Sequence, residues 1–252
     1  MSTGAIAFSD YLPAPDALAG RVILVTGATG GIGRAVSRAL VRHGAEVVLH
    51  GRSAKALEAL YGELKPLGPE PTLVELDFER AQGPAYQALI DALEERYGRL
   101  DGLLHNAGLL GSLSPIEHYD IALWQRVMHV NVNAPFILTR CLLPLLKQSE
   151  DASLLFTTSN VGHKGRAFWG AYSASKFATE GLAQVLADEL ENTSVRVNVV
   201  NPGRVRTKMR AQAYPAEDPQ SVAAPETLAN AYVYLLGPAS RALRGERIDL
   251  QP

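Results

Sequence analysis

The sequence predicts an α/β fold, a single-domain doubly wound parallel sheet with helices on both faces. Short apolar runs rich in β-branched residues and leucine alternate with longer segments whose apolar residues recur at helical spacing. The 252 residues, 47% of them hydrophobic, suffice for one sizeable core and contain no linker. Strict alternation of strand and helix makes the strands parallel, and right-handed crossovers cover both faces of the sheet.

The first predicted strand is RVILVTG, residues 21–27, a short apolar run that ends in glycine. A helix is expected to begin near Gly31, because Val36 and Leu40 continue an apolar pattern at helical spacing. Gly44 stands where the C-terminus of such a helix would be capped. This strand and helix form the first unit of the predicted sheet.

The same pattern then repeats along the chain. Strands are predicted at 46–50, 72–77, 100–106, 153–159 and 195–200, and helices at 54–64, 84–98, 121–147 and 171–191. In the long helix, Pro135 and Pro144 are expected to cause local irregularities, since proline removes a backbone donor. Segment 204–224 is polar and lacks a clear period, which is typical of a functional lid or a disordered loop.

Composition and charge limit the kinds of function. The net charge is −2 and charged residues make up 20% of the chain, so neither a nucleic-acid partner nor a charged tail is expected. One cysteine, Cys141, predicts a cytoplasmic protein without internal disulfides. The apolar runs are too short to cross a membrane, and no histidine is grouped with cysteines or acids as in a metal site.

Residues 1–19 are predicted to form an N-terminal extension, and residues 20–252 the folded domain. The extension lacks a basic region followed by an apolar core, so no signal peptide is expected. Its Pro- and Ala-rich composition predicts a segment that lies over the surface or is partly disordered.

A glycine-rich turn, TGATGGIG, joins the first strand to the first helix. Gly27, Gly31 and Gly33 allow a tight turn and a close approach of a phosphate to the backbone. The helix N-terminus offers free N–H groups and the positive end of its dipole to a pyrophosphate. This position between strand and helix indicates a dinucleotide site, although an ordinary tight turn has a similar composition.

The end of the second strand indicates which nicotinamide cofactor would bind. An NAD site carries an acidic residue here for the ribose 2′-hydroxyl, whereas this chain has HGRS, with Arg52. Arginine can hold a 2′-phosphate through paired hydrogen bonds, which favours NADP(H); the alternative is a surface arginine before a helix. Asp77, at the end of the third strand, is placed either to meet the adenine or to cap a helix.

Several motifs occur together in an order that resembles the short-chain dehydrogenase/reductase family, whose fold is Rossmann-like. They are TGATGGIG, HNAG at 105–108, VNVNAPF with Asn131, TTSNVG with Ser159, YSASK and NPGRVRT at 201–207. The likeness covers nearly the whole chain from Arg21 onward. The stretches LLHNAGLLG, GAYSASKFATEG and YPAEDPQ resemble a subgroup of enterobacterial oxidoreductases to which no substrate is assigned.

The resemblance implies a catalytic set. Tyr172 is the catalytic acid or base, and Lys176 lowers the pKa of Tyr172 and holds the nicotinamide ribose. Ser159 hydrogen-bonds the substrate oxygen, and Asn131 belongs to a water-linked proton relay. The residues expected to bind NADP(H) are Gly27, Thr29, Gly30, Gly31, Ile32, Gly33, Arg52, Asp77, Asn106, Ala107, Gly108, Tyr172, Lys176, Pro202, Gly203, Val205 and Thr207.

Elementary chemistry supports the pairing of Tyr172 with Lys176. The two residues are four positions apart in WGAYSASKF, so on a helix they share one face. A free tyrosine titrates near ~10, and an ammonium within a few Å favours the phenolate. Ser159 could polarise the same substrate oxygen. Taken singly, these residues are as easily explained as a core aromatic, a solvated lysine and a turn serine, and Asn131 as a packing residue.

Three features depart from the family pattern. His105 stands where asparagine is more frequent, the C-terminal GERIDLQP lacks the usual Asp-Gly-Gly, and LLGSLS at 109–114 has no polar group that suggests a substrate. Trp169, shortly before Tyr172, either lines the substrate pocket or packs in the core.

The expected function is hydride transfer between NADP(H) and a small-molecule carbonyl or secondary alcohol. The helices that begin near Ile121 and Ala171 are expected to pair with their copies in a homodimer or homotetramer. An epimerase or dehydratase of the same fold and a non-enzymatic NADP(H) sensor are the alternatives. The chain looks short after the sixth strand for the larger substrate domain of such epimerases, and a sensor needs no proton-transfer set.

Overall fold

The structure, a computed structural model, describes residues 11–251. Its strands are β1 Val22–Val25, β2 Glu46–Gly51, β3 Thr72–Glu75, β4 Gly102–His105, β5 Ala152–Thr157, β6 Val195–Asn201 and β7 Arg247–Asp249. They form one seven-stranded sheet in the order β3-β2-β1-β4-β5-β6-β7. All six neighbouring pairs are parallel. The strand order reverses between β1 and β4, which confirms the predicted doubly wound sheet.

Helices cover both faces of this sheet. They are α1 Gly31–Arg42, α2 Ala54–Leu64, α3 Gly83–Tyr97, α4 Ile121–Met128, α5 Ala134–Lys147, α6 Gly170–Glu189, α7 Lys208–Ala213 and α8 Ala229–Leu236. Buried residues of α1, α2 and α8 form one apolar cluster, and those of α3, α5 and α6 form another. The molecule therefore has three layers, with the sheet in the middle.

Strand β1 shows why a strand in the middle of this sheet can be apolar along its whole length. Ile23 and Val25 belong to one apolar cluster, whereas Val22 and Leu24 belong to the other. Successive side chains of a strand point to opposite faces, and here both faces are covered by helices. Strand β1 is therefore a continuous apolar run, with apolar side chains on both of its faces.

The long helix predicted at 121–147 is divided in the structure. A π-helical stretch, His129–Asn133, separates α4 from α5. Pro135 has no N–H to donate to the carbonyl of Asn131, four residues before it. The hydroxyl of Thr179 lies 3.4 Å from that carbonyl, but its shorter hydrogen bond, at 2.9 Å, goes to the carbonyl of Ser175. The irregularity therefore lies just ahead of Pro135. At Pro144 the helix is not broken: α5 continues through this residue to Lys147.

The chain after β6 is more regular than the sequence indicated. Segment 204–224 contains α7 and a 3-10 turn, Pro219–Ser221, and a bridge between Val205 and Ala223 joins its two ends. Its role as a lid stays a prediction. The following helix α8 was not predicted, because all its residues except Asn230 are buried and no polar face marks its period.

The predicted N-terminal extension lies partly outside the described residues, which begin at Tyr11. The ring of Tyr11 packs edge-on against Tyr234, with 5.0 Å between the ring centroids. Leu18 is fully buried, and its N–H donates to the carbonyl of His43 at 2.9 Å. These contacts attach residues 11–18 to the domain, while the boundary at residue 19 stays a prediction.

Candidate active site

The candidate site lies at the carboxyl end of the sheet, where the strand order reverses between β1 and β4. In a parallel sheet this crevice receives the loops that follow neighbouring strands. The glycine turn follows β1, the HNAG loop follows β4, Ser159 follows β5, and the loop 202–207 follows β6. All of the predicted catalytic and cofactor segments therefore reach one edge of the sheet or the helices beside it.

The glycine turn has no room for side chains. Gly27 has a φ of +65°, and a Cβ there would lie 2.9 Å from the Cα of Ala107. A Cβ on Gly33 would lie 2.2 Å from the carbonyl oxygen of Gly27. No side chain in residues 11–251 caps the N-terminus of α1, whose N-cap is Gly30. The free N–H groups of its first turn and the narrow backbone fit a pyrophosphate.

Thr26, which was not predicted as a site residue, holds the glycine turn against the loop after β4. Its Oγ1 accepts the N–H groups of Asn106 at 2.9 Å and Ala107 at 3.1 Å, and donates to the carbonyl of Leu104 at 3.1 Å. The amide of Asn106 also donates to the carbonyl of Thr26 at 3.3 Å. The only sequence signal was its place directly before Gly27.

His50 supports the glycine turn from the side of β2, and it too was not predicted. Its Nδ1 accepts the N–H of Gly27 at 3.4 Å, and its Nε2 donates to the carbonyl of Leu76 at 3.0 Å. The ring stacks on Phe78, with 4.3 Å between the centroids. Burial lowers the pKa of His50 to about 4, so the ring is neutral at pH 7 and Nδ1 remains an acceptor.

Arg52 and Asp77 lie beyond the ends of β2 and β3. The Nη1 of Arg52 is 3.4 Å from the Oε1 of Glu79, and 70% of the Arg52 side chain is exposed. Asp77 accepts the backbone N–H of Glu79 at 3.1 Å. Asp77 therefore caps the turn after β3, ahead of α3, and does not cap a helix. Its contact with an adenine stays a prediction.

The loop after β6 touches the glycine turn. A Cβ on Gly31 would lie 2.8 Å from the Cγ2 of Thr207, the N-cap residue of α7. Gly203 has a φ of +73°, and a Cβ there would lie 2.8 Å from the Cβ of Gln251. The Gln251 amide donates to the carbonyl of Pro202 at 2.6 Å. These contacts bring the predicted nicotinamide-end residues beside the predicted pyrophosphate site.

The structure brings Ser159, Tyr172 and Lys176 together. Tyr172 and Lys176 lie in the first two turns of α6, and the Nζ of Lys176 is 5.6 Å from the centroid of the Tyr172 ring. The Ser159 hydroxyl lies close enough to Tyr172 to lower the pKa of its phenol, although burial has the larger effect. The Nζ of Lys176 donates to the carbonyl of Thr157 at 2.8 Å. The end of β5 and the start of α6 thus present a hydroxyl, a phenol and an amine at one place.

The pKa values differ from the sequence-based expectation. Burial raises the pKa of Tyr172 to about 12, and the Ser159 hydroxyl only partly opposes this effect. Burial lowers the pKa of Lys176 to about 8, opposed by the charge of Glu180. Within the chain itself, desolvation is the dominant effect on the Tyr172 pKa and outweighs any lowering by Lys176. The amine of Lys176 donates to the Thr157 carbonyl instead of to Tyr172.

Asn131 lies in the π-helical stretch and is buried. Its Oδ1 accepts the N–H of Leu109 at 2.7 Å, and its Nδ2 donates to the Leu109 carbonyl at 2.9 Å and to the Oγ of Ser175 at 3.0 Å. A Cβ on Gly108 would lie 3.5 Å from Asn131 Oδ1 and 3.9 Å from Lys176 Nζ. Asn131 thus holds the loop after β4 against α6; its relay role stays a prediction.

Trp169 belongs to a small apolar cluster beside Tyr172, separate from the two main cores. Its ring lies edge-on to Tyr172 at 5.9 Å and tilted to Tyr214 at 5.8 Å, measured between centroids. Leu110 and Val161 are buried in the same cluster. Trp169 is therefore buried and packs against Tyr172. Its contact with a substrate stays a prediction.

The departures at His105 and at the C-terminus are accommodated by packing. His105 is buried, its Nε2 is 2.7 Å from the Oγ1 of Thr139, and burial lowers its pKa to about 3. Although Asp-Gly-Gly is missing, β7 pairs with β6, and the amide of Asn201 donates to Asp249 at 2.5 Å. The buried Nδ1 of His105 has no hydrogen-bond partner within residues 11–251.

The family model of the short chain dehydrogenases matches residues 21–218. The chain belongs to this family. The assignment confirms the family that the motifs resemble.

A related oxidoreductase matches nearly all of this short chain dehydrogenase. The uncharacterized oxidoreductase YciK of Escherichia coli (strain K12) is 48% identical over 243 residues, 96% of this chain and 96% of YciK. This relative confirms the resemblance to an enterobacterial oxidoreductase subgroup.

Solved structures show the same fold. A short chain dehydrogenase from Pseudomonas syringae is 54% identical, with a TM-score of 0.94 over 96% of this chain and 99% of that chain. One from Escherichia coli CFT073, solved as a complex with NADPH, is 48% identical, with a TM-score of 0.93 over 95% of this chain and 100% of that chain.

Residues 11–251 lack both a membrane-spanning helix and a cluster of metal-binding side chains. In this part of the chain, no helix has both the length and the apolar character needed to cross a membrane. The same residues contain no group of three or more His, Cys, Asp or Glu side chains placed to hold a metal ion.

Proposed function

We propose that this short chain dehydrogenase is an NADP(H)-dependent oxidoreductase that interconverts a carbonyl and a secondary alcohol, with Tyr172 as the acid or base. The observation that carries the proposal is the convergence of Ser159, Tyr172 and Lys176 next to the glycine turn. The NADPH complex of the Escherichia coli CFT073 relative supports the choice of cofactor. Arg52, in place of an acidic residue, supports it independently.

The chain's own residues fit the proposed cofactor. The N-terminus of α1 and the glycine turn would bind the pyrophosphate, and Arg52 the 2′-phosphate. Lys176 would hold the nicotinamide ribose. When bound, NADP(H) supplies or accepts the hydride. The contributions of the other predicted cofactor residues, including Thr29, Ile32 and Asp77, stay predictions.

In the direction of reduction, the carbonyl carbon gains a hydride and its oxygen gains a proton. The O–H bond of Tyr172 breaks as its proton moves to that oxygen. A phenol with a pKa of about 12 is protonated at neutral pH, so the proton to be donated is present, although the raised pKa makes the phenol a weaker acid. Ser159 orients the substrate oxygen, and the Lys176 ammonium stabilises the phenolate that remains. Oxidation of an alcohol runs the same steps in reverse.

The proposed function is tested by following NADPH absorbance with a panel of ketones and aldehydes. Tyr172→Phe is expected to lower kcat by a factor of roughly 10²–10⁴, the usual size of an acid–base contribution, while NADPH still binds through the other cofactor residues. Wild-type protein that binds NADPH without oxidising it in the presence of any carbonyl would favour a sensor. Turnover by Tyr172→Phe at the wild-type rate would remove Tyr172 from the mechanism.

The proposal also includes a homo-oligomeric state and a cytoplasmic location. Ile121, Phe136, Phe177 and Val185 are large apolar residues on α4, α5 and α6 that are exposed in the single chain. They are suited to pairing with a second copy, as expected for a homodimer or homotetramer. Sedimentation as a monomer would contradict this. A cytoplasmic location stays a prediction.

A further inference from the structure

The carboxylate of Glu79 lies between two arginines at the edge of the proposed 2′-phosphate site. Arg126, on α4, donates to Glu79 Oε2 through Nε at 3.0 Å and through Nη2 at 2.6 Å. Arg52 donates to Oε1 through Nη1 at 3.4 Å. The Glu79 side chain is only 19% exposed, so its charge is partly shielded from solvent.

The two arginines do not hold Glu79 equally. Arg126 uses two donors at short distance, and short charge-assisted bonds are the stronger ones. Arg52 uses one donor at the limit of hydrogen-bond distance and makes no other hydrogen bond to residues 11–251. A guanidinium has five N–H donors, so Arg52 keeps most of its own free for a ligand.

Without the ion pair to Arg126, the Glu79 carboxylate would change which cofactor the proposed 2′-phosphate site can bind. It could draw the Arg52 guanidinium into a full ion pair, and it would repel a 2′-phosphate. The same carboxylate could accept a hydrogen bond from a ribose 2′-hydroxyl, as acidic residues do in NAD sites. Both effects act against NADPH, and the second one favours NADH.

We propose that Arg126 sets the preference for NADP(H) over NAD(H) by holding and partly neutralising the Glu79 carboxylate, which keeps the Arg52–Glu79 contact weak and lessens the repulsion of a 2′-phosphate. The inference rests on the proposed role of Arg52. Arg126 is a positioning residue, because it acts on the cofactor only through Glu79. It lies 47 positions from Glu79 in the sequence, so only the fold brings the two together.

The test measures dissociation constants of NADPH and NADH by titration calorimetry or quenching of tryptophan fluorescence, without a substrate. Arg126→Gln is expected to lower the ratio of NADPH to NADH affinity by about fivefold, the upper range for partly exposed ion pairs. The loss should shrink at high salt, where exposed charges are screened. Adding Glu79→Gln to this variant should restore the ratio, because an amide carries no charge to neutralise.

Arg80→Gln is the matched control. Arg80 is also an arginine of this surface, but it pairs with Asp77 at 3.7 Å and is 89% exposed. Its replacement should leave the affinity ratio unchanged. An equal drop in Arg80→Gln would show that general surface charge, rather than Arg126, sets the preference, and it would overturn the inference. An unchanged ratio in Arg126→Gln, or no recovery on adding Glu79→Gln, would also overturn it.

Arg52→Gln separates this inference from the proposed function. If Arg52→Gln loses the NADPH preference while Arg126→Gln keeps it, the inference is wrong and the 2′-phosphate role of Arg52 stands. If neither variant changes the ratio, the inference about Arg126 and the 2′-phosphate role of Arg52 are both wrong. Should Arg126→Gln not fold, Glu79→Gln alone decides: unchanged or tighter NADPH binding supports the inference, and weaker binding overturns it.

Discussion

At the scale of single residues, the acid–base chemistry depends on two opposite pKa shifts. Burial raises the pKa of Tyr172 to about 12 and lowers that of Lys176 to about 8. Desolvation disfavours the charged form of each group, which is the phenolate for tyrosine and the ammonium for lysine. The chain therefore keeps the phenol protonated and leaves the amine able to titrate near physiological pH.

This arrangement predicts the pH dependence of reduction. Since the phenol stays protonated up to about pH 12, the first loss on raising the pH is the Lys176 ammonium, near pH 8. The NADPH-dependent kcat/KM should be flat between pH 6 and 7 and fall above about 8. Glu180→Gln should move the fall to lower pH, because the charge of Glu180 raises the pKa of Lys176. A constant kcat/KM up to pH 10 would contradict this account.

A second prediction concerns Gly27 and has a control in the same chain. Gly27 and Gly98 both have a φ of +65°, but only at Gly27 would a Cβ meet another residue, 2.9 Å from the Ala107 Cα. Gly98→Ala should cost about 1 kcal/mol of unfolding free energy through backbone strain and leave NADPH affinity unchanged. Gly27→Ala should cost more and weaken NADPH binding. Equal effects of the two variants on affinity would show that the turn tolerates a side chain.

At the scale of elements, the site is held together by contacts between the ends of neighbouring strands and helices. The π-helical stretch between α4 and α5 carries Asn131, whose amide binds the backbone of Leu109 in both directions. Single-turn π insertions in helices are frequently found at functional sites. Here the insertion lets one helix side chain fix the loop after β4 beside Lys176.

Thr26 makes the equivalent connection between β1 and the loop after β4, and it offers a direct test. Thr26→Val keeps the shape but removes the acceptor of two N–H groups, those of Asn106 and Ala107. The loss should cost about 1–3 kcal/mol of unfolding free energy and weaken NADPH binding. Thr26→Ser keeps the hydroxyl and should retain most of the unfolding free energy and most of the NADPH affinity. Denaturant unfolding and NADPH titration measure the two effects; equal behaviour of Val and Ser variants would rule out the hydroxyl as the connection.

At the scale of the whole molecule, the two ends of the sheet have different tasks. The candidate site occupies the carboxyl end, whereas buried charges hold the amino end together. Arg196 is fully buried and pairs with Asp151, which also accepts from Arg21 at 3.2 Å. Desolvation lowers the pKa of Arg196 to about 10, so the pair remains ionised at neutral pH.

Asp151→Ala should therefore separate stability from binding. Removing one partner of a buried ion pair leaves an uncompensated charge and costs about 3–5 kcal/mol. NADPH affinity should stay unchanged at a temperature where the variant is folded, because Asp151 lies before β5 at the opposite end of the sheet from Ser159. The measurements are the thermal midpoint and the NADPH dissociation constant. A large loss of affinity in folded protein would show that the two ends are coupled.

Much of the fold could be predicted from periodicity, as the confirmed sheet and the bounds of α2 show. The failures have physical causes. Helix α8 is buried all round and shows no amphipathic pattern. The break at 129–133 precedes Pro135, and the side chain of Asn131 within it binds Leu109 and Ser175, which lie far away in the chain. Thr26 and His50 support the glycine turn through contacts with other strands, which spacing in the sequence does not reveal.

Features that depend on neighbouring residues follow from the chain alone: the glycine turn at the start of α1, the shared helix face of Tyr172 and Lys176, and the alternation that makes a parallel sheet. The direction of the Tyr172 pKa shift and the ion pair between Arg126 and Glu79 depend on the folded structure. Steric limits and periodicity act between residues close in the chain. Desolvation and ion pairing act through space, so they depend on which distant segments the fold brings together.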